Sequence, residues 1–151
     1  MKALGLDLSL NSTGIAFKRK KKIKSGVIQP PKKMKDAMDK IVYTKRELMK
    51  WVKKYKPDNV YIEELSFGSR GRGVHSLAKL HGVVLYVLKM KGIRPVMIPP
   101  TTMKKHIVGA GNAKKSMVLK ALYKRFSIDV DQEDEADAIG ILLTGLEIGR
   151  K

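Results

Sequence analysis

The chain has 151 residues and a mass of 16.9 kDa, the length of one domain and too short for two of typical size, and 43% hydrophobic residues exclude a wholly disordered chain. It carries 32 Lys and Arg against 14 Asp and Glu, a net charge of +18 and a pI of about 10.1, which points to a polyanionic partner, most often nucleic acid. Absence of cysteine removes disulfides, thiolate zinc sites and thiol catalysis without fixing the compartment; no apolar stretch approaches the roughly 18 residues of a membrane span, and the N-terminus has an early acid, Asp7, and no signal-peptide h-region, so the expectation is a cytoplasmic protein without membrane contact.

Residues 3–8 form a short apolar run, as in a buried strand. Asn11 to Gly14 reads as a turn, Ile15 to Phe17 as a second strand, and Lys18 to Lys22 as a basic hairpin tip. Ile23 to Gln29 gives a third strand, ended by Pro30 and Pro31. Helical spacing of Met34, Met38, Ile41, Leu48, Val52 and Tyr55 predicts one amphipathic helix over 32–55. Val60 to Ile62 is a fourth strand, 66–73 a Gly/Ser/Arg loop, and Val74 to Met90 a helix with Gly92 as its C-terminal cap. Arg94 to Ile98 is a fifth strand, and Thr101 to Val108 a short helix. Asn112 is a candidate N-cap for a helix ending at Phe126, and a last helix covers Asp131 to Ile148. Three meander strands followed by βαβ crossovers predict a mixed sheet with helices on its faces, in a single domain over 1–151.

The acids are sparse and oddly placed. Asp7 is the only one in the first 35 residues, among ten Lys and Arg, and it sits inside an apolar strand pattern. A buried carboxylate is costly unless it meets a cation, a metal or several donors; the alternative is a structural Asp bonded to the turn at Ser9 or Thr13. Glu63 and Glu64 close the fourth strand and point to opposite faces, and parity alone leaves open which of them reaches a site. Asp134 and Asp137, three apart, lie on one side of a helix; charge at a helix N-terminus explains Asp134 but not Asp137, which falls among Ala136, Ala138 and Ile139. Brought together, these acids suit two hard cations, which prefer oxygen ligands and can activate water against a phosphodiester.

The blocks Asp7-Leu8-Ser9-Leu10-Asn11-Ser12-Thr13-Gly14, Tyr61-Ile62-Glu63-Glu64, Lys104 to Ser116 and Asp134-Glu135-Ala136-Asp137-Ala138 resemble, in order and over nearly the whole chain, the RuvC Holliday junction resolvases of the ribonuclease H-like superfamily. The Asp-Leu-Ser form, in place of Asp-Pro-Gly, resembles phage and poxviral members. The resemblance implies an α/β fold with a ribonuclease H-like mixed five-stranded sheet, three antiparallel strands plus parallel strands, flanked by helices. It implies Asp7, Glu63, Asp134 and Asp137 as catalytic metal ligands, with Lys104 and Lys115 as phosphate-contacting catalytic lysines. It further implies magnesium as cofactor (two ions, with manganese as a substitute), branched four-way DNA as substrate, a homodimer, and a bacterial or phage-infected cell as the setting.

The loop from Ser66 to Gly73 joins glycine freedom to Phe67, Arg70 and Arg72, a mixture suited to DNA contact; the plain alternative is a loop with Phe67 folded inward. Ala78 and Gly82, four apart, permit close packing of a second copy, although Leu77, Leu80, Val84 and Val87 suffice for packing on the chain's own sheet. His75, His81 and His106 show no ligand spacing, and the eight methionines read as core and interface filler. Two other functions fit parts of the pattern: a nuclease acting on forks, flaps or RNA–DNA hybrids, and a non-catalytic architectural DNA-binding protein. The second leaves the placing of the acids unexplained.

Overall fold

The computed structural model describes residues 1–66 and 70–151, the side chain of Arg72 excepted. Its strands are β1 (Lys2–Asp7), β2 (Thr13–Arg19), β3 (Lys22–Ile28), β4 (Asn59–Glu63) and β5 (Val96–Ile98); its helices are α1 (Ala37–Tyr55), α2 (Arg72–Met90), α3 (Pro100–Ile107), α4 (Lys115–Phe126) and α5 (Glu133–Ile148). They form one sheet in the order β3-β2-β1-β4-β5, with β1–β2 and β2–β3 antiparallel and β1–β4 and β4–β5 parallel. The mixed sheet expected from the sequence is the one observed.

Strand parity sorts the core into two layers. Leu4, Leu6 and Leu8 of the β1 segment join Val60 and Ile62 under α1 and α2, with Leu48, Leu80, Val84 and Leu88. Ala3 faces the other way, with Tyr61, toward α3, α4 and α5. Each large side chain so buried contributes roughly 1.5–3 kcal/mol relative to exposure. α5 is buried along most of its length, from Ala136 to Leu146, because it crosses the sheet under α3 and α4. It can lie that close only because β1 and β2 present Gly5 and Gly14: a Cβ on Gly5 would sit 2.5 Å from the Ala138 carbonyl, and one on Gly14 would collide with the Asp134 carbonyl.

Several boundaries differ from expectation, for local reasons. α1 begins at Ala37, since the Asp36 side chain accepts the Asp39 N–H at 3.0 Å and caps the helix there. Asn112 is not a cap: it lies inside a turn in which the Ala113 N–H donates to the Ala110 carbonyl at 3.1 Å, and Lys114 occupies the N-cap position of α4. α5 starts at Glu133 behind Gln132, and α2 starts two residues early, at Arg72. Gly92 takes the left-handed conformation expected after α2, with φ 75°. Of the methionines, Met103 is fully buried and Met49 and Met97 pack against the core, while Met38, Met90 and Met117 are exposed. No helix of the described chain is long and apolar enough to cross a membrane.

Candidate active site

Parity carries Asp7, two residues beyond Gly5, to the face of the sheet that α5 covers. Glu63 follows Tyr61 to that same face, while Glu64 follows Ile62 to the other; the position of α5 thus settles which glutamate is available. α5 begins against Gly14, the register partner of Asp7, so its first two turns bring Asp134 and Asp137 to the end of β1. The turn explanation of Asp7 fails: Thr13 Oγ1 donates to the Ser9 carbonyl at 2.8 Å and accepts the Ser9 N–H at 3.1 Å, so those two residues satisfy each other.

The cation in this cluster is Lys115, the first residue of α4. Its Nζ lies 3.1 Å from Asp137 Oδ2, 3.3 Å from Asp134 Oδ1 and 4.0 Å from Asp7 Oδ2. Asp7 and Asp137 are buried, at 6% and 2% exposure, whereas the Lys115 side chain that reaches them is about half exposed, so solvent screens the contact from its side. Burial, then the charge of Glu63 and a hydrogen bond to it, push the Asp7 carboxyl up to about 9. Burial and the charge of Asp7 push Asp137 up to about 6. Burial likewise raises Glu63, against the hydrogen bond from Asp7 and the charges of Lys115 and Lys104. Burial alone would lower the Lys115 ammonium, but Asp137 and Asp7 hold it above the ordinary lysine range.

The donor set fits a divalent metal. Four carboxylates supply hard oxygen ligands, and Asp137 Oδ1 is buried without a hydrogen-bond partner. Among the described residues no three of these side chains close tightly enough to enclose an ion as they stand. The physical reason is Lys115, whose ammonium stands between three of them and supplies the neutralising charge.

Of the remaining candidates, Lys104 is half-buried on the last turn of α3 and close enough to lower Glu63. Arg70 is exposed and lines a cleft of about 290 Å³ beside Glu63, Glu64 and His81. Phe67 lies outside the described residues, and Arg72 is described only as the first residue of α2. His106 is not a surface histidine: its Nδ1 meets Thr144 Oγ1 at 3.0 Å and ties α3 to α5. His81, which sequence spacing passed over, is buried in the wall of the cleft, and burial pushes its imidazole down toward the neutral form. Glu135 is turned away from the cluster and accepts from Ser25 Oγ at 2.7 Å.

The sequence model of the family described as Crossover junction endodeoxyribonuclease RuvC matches residues 3–145. A RuvC from Brachyspira hyodysenteriae is 30% identical over 95% of this chain and 92% of its own, and one from Prochlorococcus marinus strain MIT 9312 is 31% identical over 97% and 96%. Among solved structures, Thermus thermophilus RuvC in complex with Holliday junction substrate superposes with a TM-score of 0.83 at 20% identity, over 99% of this chain and 95% of that one. The yeast mitochondrial Holliday junction resolvase Ydc2 gives a TM-score of 0.56 at 16% identity, over 92% and 76%; at such identities these two likenesses speak for the fold alone. With a family match spanning almost the whole chain and relatives at 30% identity aligned end to end, this chain belongs to the RuvC family of crossover junction endodeoxyribonucleases.

Proposed function

We propose that this chain is an endonuclease that resolves four-way DNA junctions, working as one nuclease domain, with Asp7, Glu63, Asp134 and Asp137 as its catalytic centre. The observation that carries the reading is the meeting of these four acids, from three separate elements, on the α5 face of a +18 protein. The four carboxylates hold magnesium, two ions in this reading, and manganese suits the same oxygen donors. When bound, the metal supplies Lewis acidity toward the scissile phosphate and a nucleophilic water at neutral pH.

The chain's own groups do the rest. Asp7 and Glu63, both raised by burial, act as ligands in their ionised form. Lys115, withdrawn from the acids, and Lys104 beside them place phosphate oxygens and offset charge that develops in the transition state. Arg70 and Arg72 lead the backbone toward the centre, and Phe67 contacts bases at the branch. Hydrolysis leaves a 5′-phosphate and a 3′-hydroxyl, without a covalent enzyme intermediate. Two symmetric cuts require two centres, hence a homodimer. The exposed small residues Ala78 and Gly82 of α2 offer the face for it, since Leu80, Val84 and Leu88 already occupy the inner side. The setting is the cytoplasm of a bacterial or phage-infected cell, where such DNA is found.

The test is a cleavage assay on a four-way junction and a linear duplex of the same sequence, with and without magnesium. Cutting of the junction alone, and with magnesium alone, is expected; equal cutting of both substrates would reject the reading.

A further inference from the structure

The strongest charge in the molecule lies away from the catalytic acids. Residues 18–24 hold six Lys and Arg and residues 50–56 hold four, ten of the chain's 32, with no acid in either segment. The fold brings the two segments to the same end of the sheet, with Lys18 and Lys21 toward the α4 and α5 side and Lys53 and Lys56 lining a groove between α1 and α2. Arg19 pairs with Lys2 on one side and with Lys22 on the other, at the start of the sheet opposite to Asp7. Tyr55, at the end of α1, stacks on Phe17 with ring centroids 4.4 Å apart, and Phe17 is the register partner of Lys24. The Lys24 and Lys54 ammonium groups lie 5.9 Å and 5.4 Å from the Tyr55 ring centroid. Hairpin and helix end therefore form one basic pole along the β3 edge of the sheet.

Two acids border this pole without ion-pairing to it: Asp129 lines the same pocket as Lys18 and Lys21, and Asp58 accepts the Lys2 N–H at 2.7 Å beside Arg19. Among the described residues only Lys50 of these ten has an ion-pair partner, Glu47 at 2.8 Å. The hairpin turn itself is an expensive place for a cation. Lys20 takes φ 55°, the left-handed region that Gly, Asn and Asp occupy most readily in tight hairpins, and Lys21 follows it. Mutual repulsion and an unfavourable turn both work against folding, and a polyanion repays both. We propose that this pole is a second binding site for the phosphate backbone of duplex DNA, distinct from the centre of cleavage. This rests on the DNA-cleaving reading and extends it.

Distance and chemistry favour duplex DNA over an acidic protein. From Lys2 to Asp7 the strand rises five residues, about 17 Å at about 3.3 Å each. That span matches about five base pairs at 3.4 Å per pair, so one arm can cross both the acids and the pole. Nine of the ten cations are lysines, flexible point charges that follow a backbone without reading bases. Lys18 and Lys21 also rim a pocket of about 460 Å³ lined by Ile23, Phe126, Ile128 and Val130, a socket that suits a protein partner, so the choice of duplex DNA rests on the span and on the lysines.

The probe is the full chain with Lys20→Gln, Lys21→Gln and Lys22→Gln, measured against a linear duplex and a four-way junction over a salt series. Each lost phosphate contact lowers the slope of log affinity against log salt by about 0.9, so the triple variant should lose up to about 3 in slope on either DNA. Cleavage at saturating junction should stay at the wild-type rate. A Lys53→Gln, Lys54→Gln variant, remote in sequence, should lower the slope in the same direction, which guards against a hairpin that merely misfolds. An unchanged slope in both variants would overturn the proposal, as would a lower affinity for polyglutamate with DNA binding intact, which would assign the pole to an acidic protein. Failure of the nuclease reading would look different: no metal-dependent cleavage by the wild type, with the salt slopes still reduced in the variants.

Discussion

The two ends of the same five-stranded sheet meet opposite electrostatic problems. At the end marked by Asp7, Glu63, Asp134 and Asp137, buried acids crowd together and one lysine offsets them. At the other end cations crowd together, exposed, and the described acids leave nearly all of them unpaired. The difference lies in burial. A carboxylate removed from water must find a cation or keep its proton, which is why Asp7 rises to about 9, whereas exposed ammonium groups are satisfied by water at little cost. One end is strained until a cation arrives; the other is comfortable but repulsive until a polyanion does.

The largest way to break this comparison is at the acids. Asp137→Asn and Glu63→Gln, measured in single-turnover junction cleavage, should each cost on the order of 1,000-fold in rate, as loss of a centrally placed catalytic group does. Lys115→Ala should slow cleavage by roughly 100-fold, because a phosphate-facing charge is lost. The contacts add a second outcome that sequence alone would not suggest. With the ammonium removed from between three carboxylates, calorimetric titration should find magnesium or manganese binding tighter than in wild type. Lys114→Ala, at the exposed N-cap position, should change neither quantity much.

Smaller effects should appear in stability. Gly14→Ala forces a methyl into the Asp134 carbonyl, and overpacking of this kind typically costs about 1–3 kcal/mol, measured by denaturant unfolding. The acids have the opposite sign. Asp137 is raised from 3.8 to about 6, so folding favours its protonated form. Its contribution is complete below pH 3.8 and is lost as pH rises through about 6. Asp137→Asn should therefore raise the thermal midpoint of the metal-free protein at pH 8, and the gain should vanish below pH 4. Added magnesium should stabilise wild type and leave the variant behind.

Much of this was legible in the residues themselves. Apolar runs and Pro-Gly punctuation locate all five strands, and an acid inside the apolar pattern of β1 marks Asp7 by its cost. Other features were not local. Glu63 and Glu64 are equivalent by parity until α5 covers one face of the sheet, and that placement depends on Gly5 and Gly14 on two neighbouring strands. The contacts of Lys115 join α4 to β1 and α5, a closeness no spacing encodes. Asn112 is no cap because a cap-forming residue type also suits the interior of a turn, here the one closed by Ala113 on Ala110. The basic run at 18–22 was visible as a hairpin tip, but its union with the end of α1 emerges only from the stacking of Tyr55 on Phe17.

The central claim is that the acids at the Asp7 end cut the junction while the cations elsewhere only hold it. Asp7→Asn separates the two most directly, when single-turnover cleavage in magnesium and junction affinity are measured on the same protein. Cleavage should disappear while affinity stays equal or becomes tighter, since one negative charge facing phosphates is gone. Cleavage at the wild-type rate would contradict the account.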